Sequence, residues 1–465
     1  MKIGLQIGVV ILLVLAGSGM QGYASGTLDA LLVGVFFLLA GCGVVAAAFR
    51  ARRPEVLAFV LTYVMCLVAG GLAQCYSLLV FQAPQDFSDA IYFYEQISAR
   101  PPFTPLTSML SAHLVATGTW QALYRATWWL GFPFGPYTGV MFNAFVVGLA
   151  GSLTVGTARM LFGHDPWRLR RVAVLFAFCG LSLLFGALLL RDCFALFLTA
   201  LWLWAAVRFL ARPSAWRLTS GAIVVSVSTY TLQFVRAEAV MLFGVHAVIL
   251  SGFWFFTKRL SLVRIVIASL LLSALVIAGS YLMNYAMTLQ RVLAGSADSY
   301  ATLSAAEAGR DSLGMQFIVN QPLPIRLIGG AGTLLASPIP LWTSFRVGAT
   351  SYLWIKGYSG VYHVLVLPLC LAGILAAVRL ALKDGLRASP ALFVAVFWLV
   401  SLLAVVASSG EQRHLGQFLS AFMILAAMPD TRQARERQLV RRIATPWFAA
   451  VVLVHVAWGI LKGVL

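Results

Sequence analysis

The sequence predicts an all-α protein that crosses a membrane many times, and its composition leads to this fold class. Of the 465 residues, 61% are hydrophobic and only 10% are charged, and the mean hydropathy is +0.91. Ordinary soluble domains carry about 25% charged residues, so a chain this long and this apolar cannot cover a water-facing surface. A soluble globular enzyme is therefore excluded. A disordered chain is excluded too, because low hydrophobicity is what keeps such chains unfolded.

Long apolar runs predict about 11–13 spanning helices. Each helix needs roughly 20 mostly apolar residues to cross about 30 Å of hydrocarbon, and backbone groups cannot stay unpaired in lipid. The runs lie near 3–20, 28–49, 56–82, 138–160, 172–190, 193–211, 218–237, 239–256, 262–286, 359–378, 390–408, 414–428 and 445–461. The first follows Met1-Lys2 and is expected to be an uncleaved signal-anchor. Runs 218–237 and 239–256 leave almost no loop between them, so these two runs are the weakest candidates for separate spanning helices.

The net charge of +18 is explained by how the basic residues are distributed between the two sides of the membrane. With a cytoplasmic N-terminus, 22 of the 33 Lys and Arg residues fall in cytoplasmic segments, whereas ten of the 15 Asp and Glu residues fall outside. This distribution is the positive-inside pattern of multi-pass membrane proteins. It predicts that the basic residues face the cytoplasm and argues against nucleic acid as a partner. All six cysteines lie in or beside apolar runs without metal-type spacing, which predicts small core residues.

Two long outward segments interrupt the hairpin pattern within a single transmembrane domain, 1–465. The first, 83–137, contains a Trp-rich amphipathic stretch, which is typical of helices lying in the membrane interface. The second, 287–358, holds four prolines among apolar residues, which predicts a broken or re-entrant segment lining a cavity. Connections this long are usually functional.

Charged residues lie at the outer ends of several predicted spans. These are Arg191, Asp192, Arg236, Glu238, Glu411, Arg413 and His414. A charge this close to hydrocarbon is costly and suggests a functional site, although each side chain could instead be a helix-end residue that reaches out to water. Together they offer carboxylates and guanidiniums for acid–base chemistry on an anionic substrate.

Four short motifs on the outer side form a pattern. They are Asp86-Phe-Ser-Asp89-Ala-Ile-Tyr92, Pro101-Pro102-Phe-Thr-Pro105, Leu190-Arg191-Asp192 and Phe234-Val-Arg236-Ala-Glu238. This pattern, over roughly 80–260, resembles the C-type fold of lipid-dependent integral membrane glycosyltransferases. The resemblance implies a donor sugar on polyprenyl phosphate or pyrophosphate, a glycan or lipid acceptor, and a periplasmic reaction at a bacterial inner membrane. It also implies that an aspartate of the first outer loop acts at the acceptor hydroxyl.

The sequence departs from that family in two respects. Asp86 and Asp89 are spaced three apart and are not adjacent, and the Trp-Trp-Asp type of motif found in oligosaccharyltransferases is missing. N-linked protein glycosylation is therefore not expected. With no firm set of metal ligands in the sequence, no cofactor is predicted, and a divalent metal between carboxylate and phosphate is left open.

Glycosyl transfer needs a base at the acceptor hydroxyl and cations at the departing phosphate. Asp86 is the first choice for the base and Asp89 the second; if 86–96 is helical, both lie on one face, where like charges favour proton uptake by one of them. The alternative role for Asp86 is a helix N-cap. Guanidiniums match phosphate oxygens well. The predicted binding set is Tyr92, Arg191, Asp192, Arg236, Glu238, Arg310, Arg326, Arg413 and His414.

Two other functions fit the same pattern. One is a polymerase of the O-antigen or exopolysaccharide type, which joins lipid-linked repeat units and is similar in layout. The other is a transporter or flippase for an anionic lipid-linked substrate, since transporters use interrupted helices and intramembrane charges. A ladder of products distinguishes polymerisation from single transfer, and counterflow without a covalent product indicates transport.

Overall fold

The fold is all-helical, as predicted. The computed structural model describes residues 2–99, 114–132, 135–211, 214–236, 239–256, 323–337, 341–384, 390–408 and 411–464, and it contains no strand in these ranges. The helices are α1 (Lys2–Ser25), α2 (Asp29–Phe49), α3 (Arg53–Phe81), α4 (Ser88–Ser98), α5 (Leu114–Trp129), α6 (Pro136–Phe162), α7 (Pro166–Ala177), α8 (Gly180–Ala187), α9 (Asp192–Ala211), α10 (Ala215–Leu232), α11 (Ala239–Phe256), α12 (Leu323–Ala336), α13 (Ser351–Asp384), α14 (Pro390–Ser408), α15 (Gln412–Leu415), α16 (Leu419–Ala427) and α17 (Ala434–Val464). Short 3-10 turns occur at Leu341–Phe345 and Gly416–Phe418.

The helix lengths fit a multi-pass membrane protein. Among the described residues, seven helices are long and apolar enough to cross a membrane, and the bent pair α7–α8 makes up to eight. Two further apolar helices are shorter, at Leu242–Trp254 and Pro390–Val406. The predicted span 262–286 lies outside the described residues.

Helix α6 is the centre of the bundle. Its spanning window is 83% buried, whereas that of α17 is only 11% buried, so α17 lies at the periphery. α6 packs between α3 and α9, and α3 in turn packs on α1. The Tyr63 hydroxyl on α3 donates to the Gly34 carbonyl of α2 at 2.8 Å. All six cysteines are free thiols, four buried and two half-buried, as predicted for small core residues.

The predicted continuous span 172–190 is wrong, because the helix breaks in the middle. α7 ends at Ala177, and α8 starts at Gly180 after a bend of 52°. The bend brings Gly180 onto α13, where a Cβ atom would lie 2.3 Å from the Ser359 Cα. Only glycine allows the two backbones to approach so closely, and hydropathy carries no signal for such a contact.

After α8 the chain leaves the helix and stays buried. Leu188 has an extended backbone, and the whole stretch Leu188–Leu190 is buried. The Asn143 amide on α6 donates to the carbonyls of Leu188 at 2.9 Å and Leu190 at 3.1 Å. Buried carbonyls need partners of this kind. Asn143 therefore stabilises a non-helical segment at the start of α9.

The predicted span 414–428 does not cross the membrane by itself. Residues 412–427 form α15, a 3-10 turn and α16, and they extend only about 24 Å at 1.5 Å per residue, short of the hydrocarbon thickness. Every residue of α16 is buried, against α13, α7, α6, α14 and α9. The segment is apolar because protein surrounds it, and hydropathy alone does not separate this case from a lipid-facing span.

The long outer segment 287–358 ends earlier than predicted. α13 starts at Ser351, eight residues before the predicted span 359–378, and runs to Asp384. α12 packs on α14 and α13, with Pro324 in its first turn, where proline is tolerated. Residues 287–322 lie outside the described part.

The first outer segment, 83–137, contains α4 and α5, and the stretch 100–113 between them lies outside the described residues. Trp120 was expected in the membrane interface but is completely buried, and its indole N–H donates to the Asn143 side-chain oxygen at 2.9 Å. Trp128 and Trp129 are exposed, in keeping with an interfacial position. α5 therefore joins the bundle through Trp120.

Candidate functional site

Charged and polar side chains from five places in the sequence meet at one end of the bundle. We call this the charge cluster, and it consists of Asp89, Asp192, Arg236, Tyr352, Glu411, Arg413 and His414. It lies where α3 ends and α9 and α13 begin. The opposite end of α3, about 40 Å away along a helix of this length, carries the Glu55–Arg159 ion pair.

Asp192 and Arg236 form the buried half of the charge cluster. Asp192 is the first residue of α9, and the Arg236 backbone N–H closes the turn after α10 on the Leu232 carbonyl. The Arg236 guanidinium bonds the Asp192 carboxylate, and the side chains are only 4% and 5% exposed. A buried charge needs an opposite partner, so each of these groups makes the burial of the other tolerable.

Arg413 links the buried half to the accessible half. Its Nη1 donates to Asp89 Oδ2 at 2.7 Å, and its Nε lies 3.6 Å from Glu411 Oε1. The Arg413 side chain is 13% exposed, whereas that of Asp89 is 44% exposed. Asp89 therefore presents a carboxylate that is held by Arg413 to the outside of the bundle.

Glu411 is held in its ionised form. The Tyr352 hydroxyl donates to Glu411 Oε1 at 2.9 Å. Burial alone would raise the pKa of Glu411, but Arg413, further nearby charges and the Tyr352 hydroxyl together outweigh burial and hold the pKa at about 2. For Arg413, burial lowers the pKa, but the surrounding acidic groups, Glu411 first among them, together more than compensate, so the pKa of Arg413 lies above its usual range.

His414 carries no charge at neutral pH. Burial, followed by the nearby guanidinium of Arg236, lowers the pKa of His414 to about 3. Its Nε2 lies 3.6 Å from Glu411 Oε2, beyond hydrogen-bonding distance. With so low a pKa, the imidazole is a poor proton acceptor and offers no positive charge to a phosphate.

Asp86, the first choice for the base, caps a helix. Its Oδ2 accepts from the Ser351 backbone N–H at 2.7 Å, and its Oδ1 accepts from the Ser351 hydroxyl at 2.6 Å. The expected helical face shared with Asp89 is wrong, because α4 starts only at Ser88 after an extended Phe87. Asp86 thus accepts the hydrogen bonds at the N-terminus of α13 and caps this helix from a distant part of the chain.

We expect Asp86→Ala to lower the free energy of unfolding by about 1 kcal/mol, because the Ser351 N–H at the start of α13 loses its acceptor. Asp86→Asn keeps one acceptor oxygen, and its amide can donate to the Ser351 hydroxyl, so stability should change little. Thermal unfolding in detergent measures both variants. Equal destabilisation by Asn and Ala would show that the charge of Asp86, and not its acceptor atoms, is what matters.

The structure brings together five of the predicted site residues. Those five are Asp89, Asp192, Arg236, Arg413 and His414. Arg191 directly precedes Asp192 and is half-buried, and Tyr92 is exposed on α4. Arg326 belongs to α12, but its side chain lies outside the described parts, as do Glu238 and Arg310 altogether.

Tyr352 and Lys356 were missed because they lay in the predicted outer loop. Both fall in the first two turns of α13, a helix that starts earlier than its hydropathy indicates. The Lys356 ammonium lies over the Tyr352 ring, 5.6 Å from its centroid. The Phe87 ring also stacks on Tyr352, with centroids 4.0 Å apart. Glu411 was noticed as an outward carboxylate but was not assigned to the site.

The described side chains offer no ready metal site. Within the described ranges, no three His, Cys, Asp or Glu residues are arranged to hold a metal ion. The carboxylates of the charge cluster are engaged by arginine, Asp192 by Arg236 and both Asp89 and Glu411 by Arg413. The cluster is thus an arrangement of paired charges with one accessible carboxylate.

No family model, curated protein or solved structure matches the chain. Function therefore has to be inferred from the charge cluster and from the helices that carry it.

Proposed function

We propose that the chain is an integral membrane glycosyltransferase. It transfers a sugar from a polyprenyl-phosphate- or pyrophosphate-linked donor to a glycan or lipid acceptor. The observation that carries the proposal is Asp89, a half-exposed carboxylate fixed by the mostly buried Arg413 at one end of a membrane-spanning bundle. An accessible base beside guanidiniums is what transfer from a lipid phosphate requires.

The reaction assigns a role to Asp89. The Asp89 carboxylate accepts the proton of the acceptor hydroxyl as the acceptor oxygen forms its bond to C1 of the donor sugar. The bond between C1 and the phosphate oxygen breaks, and its electron pair leaves with polyprenyl phosphate or pyrophosphate. The hydrogen bond from Arg413 keeps the Asp89 carboxylate oriented before the proton moves. Asp86 has no part in this chemistry, because it caps α13.

Charge distribution supports an extracytoplasmic reaction in a bacterial inner membrane. The end of the bundle opposite the charge cluster carries exposed arginines, among them Arg50, Arg52, Arg53, Arg170, Arg435 and Arg437. Basic residues of multi-pass proteins concentrate on the cytoplasmic side. This distribution supports a cytoplasmic N-terminus and a charge cluster on the periplasmic side.

A transporter or flippase for an anionic lipid-linked substrate is the second candidate. The observation that favours it is the α7–α8 break followed by the buried, non-helical stretch Leu188–Leu190. Interrupted helices next to charged residues are common at transporter binding sites. Glycosyl transfer is preferred because the half-exposed Asp89 lies beyond the end of α3, outside the spanning part of the bundle.

The test compares two carboxylates of the same loop. Purified protein in liposomes is incubated with undecaprenyl-phosphate-linked sugars and a panel of glycan and lipid acceptors, and labelled product is measured. We expect Asp89→Asn to lower the rate about a hundredfold, the contribution of a positioned base. Asp86→Asn is the matched control and should keep most of the activity.

Each outcome separates the candidates. Full activity of Asp89→Asn in a correctly folded protein would contradict the assignment of the base. Counterflow of the lipid-linked sugar without covalent product would favour the transporter. A product ladder would identify a polymerase, whereas one added sugar would identify a single transfer.

A further inference from the structure

Lys356 lies beside the charge cluster and differs from its arginines. It lies in the second turn of α13, one helical turn after Tyr352, and its ammonium is 5.6 Å from the Tyr352 ring centroid. It is close enough to Glu411 to contribute to the lowered pKa of that carboxyl. Through Tyr352, Glu411 and Arg413 it is connected to Asp89, the proposed base.

The two arginines of the cluster are already committed to carboxylates. Arg236 is paired with Asp192, and Arg413 contacts both Asp89 and Glu411. In the described part of the chain, Lys356 has no carboxylate within ion-pair distance, and its ammonium lies against an aromatic ring. Its ammonium therefore retains hydrogen-bonding capacity for an anionic ligand, with three donors and no acceptor.

The surroundings of Lys356 place it at the border between lipid and water. Its neighbour Trp354, in the first turn of α13, is an exposed large aromatic side chain. Exposed tryptophan at the end of a spanning helix is typical of the headgroup level of a bilayer. A lipid that approaches α13 from the bilayer carries its phosphate at this level.

We propose that Lys356 binds the phosphate of a polyprenyl-phosphate ligand, with its ammonium donating to a phosphate oxygen. This inference rests on the proposed function, because it assigns the phosphate subsite of the same charge cluster. The sequence predicted that the arginines bind the phosphate. In this proposal Arg236 and Arg413 hold carboxylates in place, and Lys356 contacts the phosphate. A lysine suits this task, since a compact point charge binds phosphate without a fixed geometry.

The experiment measures binding of undecaprenyl phosphate to the full chain in nanodiscs of neutral phosphatidylcholine. Lys356→Met should weaken binding about tenfold, the effect of losing one charge-assisted hydrogen bond, and Lys356→Arg should restore most of it. Lys383→Met is the matched control, because Lys383 is an exposed lysine at the other end of the same helix. Because Lys356 has no ion pair to lose, the melting temperature of Lys356→Met should stay close to that of the parent.

Two further ligands identify the source of the phosphate. Undecaprenol, which lacks the phosphate, should bind weakly and equally to the parent and Lys356→Met. Strong competition by inorganic phosphate at millimolar concentration would overturn the lipid assignment, because the ligand would then be a free ion. Unchanged affinity of a folded Lys356→Met for undecaprenyl phosphate would overturn the phosphate contact itself.

Failure of the proposed function and failure of the phosphate subsite give different results. If Lys356→Met binds undecaprenyl phosphate weakly while no lipid-linked sugar gives a covalent product, the phosphate subsite stands and glycosyl transfer fails. If transfer is observed and Lys356→Met leaves the KM for the lipid-linked donor unchanged, transfer stands and the phosphate subsite fails.

Discussion

Arg236→Met is expected to lower the free energy of unfolding by about 3–5 kcal/mol, the cost of leaving one member of a buried ion pair alone. The carboxylate of Asp192 would keep its charge in a site where its side chain is only 5% exposed. Other cations of the cluster act on Asp192 only from a distance, so they do not replace the direct bond to Arg236. Unfolding of the purified protein in mixed micelles with increasing SDS measures the loss.

The double variant Asp192→Asn/Arg236→Met should recover much of this stability, because no isolated charge remains buried. A double-mutant cycle then gives the coupling between the two side chains. Arg432→Met at the opposite end of the bundle is the matched control: Arg432 is 52% exposed, and its buried partner Asp430 keeps a second cation, Arg168, 3.9 Å away when Arg432 is replaced. We expect little change for this variant, since an exposed guanidinium contributes little and no buried carboxylate is left without a cation. A loss from Arg432→Met as large as that from Arg236→Met would contradict the importance of burial.

Hydropathy predicted the long helices well and the short ones poorly. The predicted runs 28–49, 56–82 and 193–211 correspond closely to α2, α3 and α9, since these cross the bundle without interruption. The break between α7 and α8 carries no such signal, because residues on both sides of Gly180 are apolar. The break depends on the approach of Ser359 to Gly180, a contact between residues far apart in sequence.

The charge cluster could be predicted only as a set of residue types. Arg191, Asp192, Arg236 and Arg413 stood out because charges at the ends of apolar runs are costly. Their partners could not be read from spacing, since Arg413 meets Asp89 across 324 residues and Asp86 meets Ser351 across 265. Spacing put Asp86 ahead of Asp89 as the base, whereas the contacts of Asp86 with Ser351 and the accessibility of Asp89 favour the opposite order.

Two short, buried elements bring the charges to the same end of the bundle. The stretch after α8 runs through Leu188–Leu190 into Asp192, and α15 starts immediately after Glu411. Neither element has the length of a spanning helix, so each can end within the protein near the membrane surface. These short buried elements therefore position Asp192, Glu411 and Arg413 at this end of the bundle. An uninterrupted spanning helix would place apolar residues there.

Gly373→Val is expected to cost about 3 kcal/mol, because it forces a side chain between α13 and the buried helix α16. A Cβ atom at Gly373 would lie 1.9 Å from the Leu425 carbonyl oxygen, and this oxygen belongs to the backbone of a helix in which every residue is buried. The two helices would have to separate, and α16 leads directly from the 3-10 turn that follows Arg413 and His414. We therefore expect Gly373→Val to reduce binding of undecaprenyl phosphate as well as stability.

Gly43→Ala is the control for the loss of a glycine in a spanning helix, because a Cβ atom there meets no other described atom within 4 Å. Alanine favours a helix over glycine, so this variant should be at least as stable as the parent. Thermal unfolding followed by tryptophan fluorescence compares the two variants in the same detergent. Parent-like stability of Gly373→Val would mean that α16 can move away from α13. The positions of Glu411 and Arg413 would then not depend on the close packing of α13 against α16.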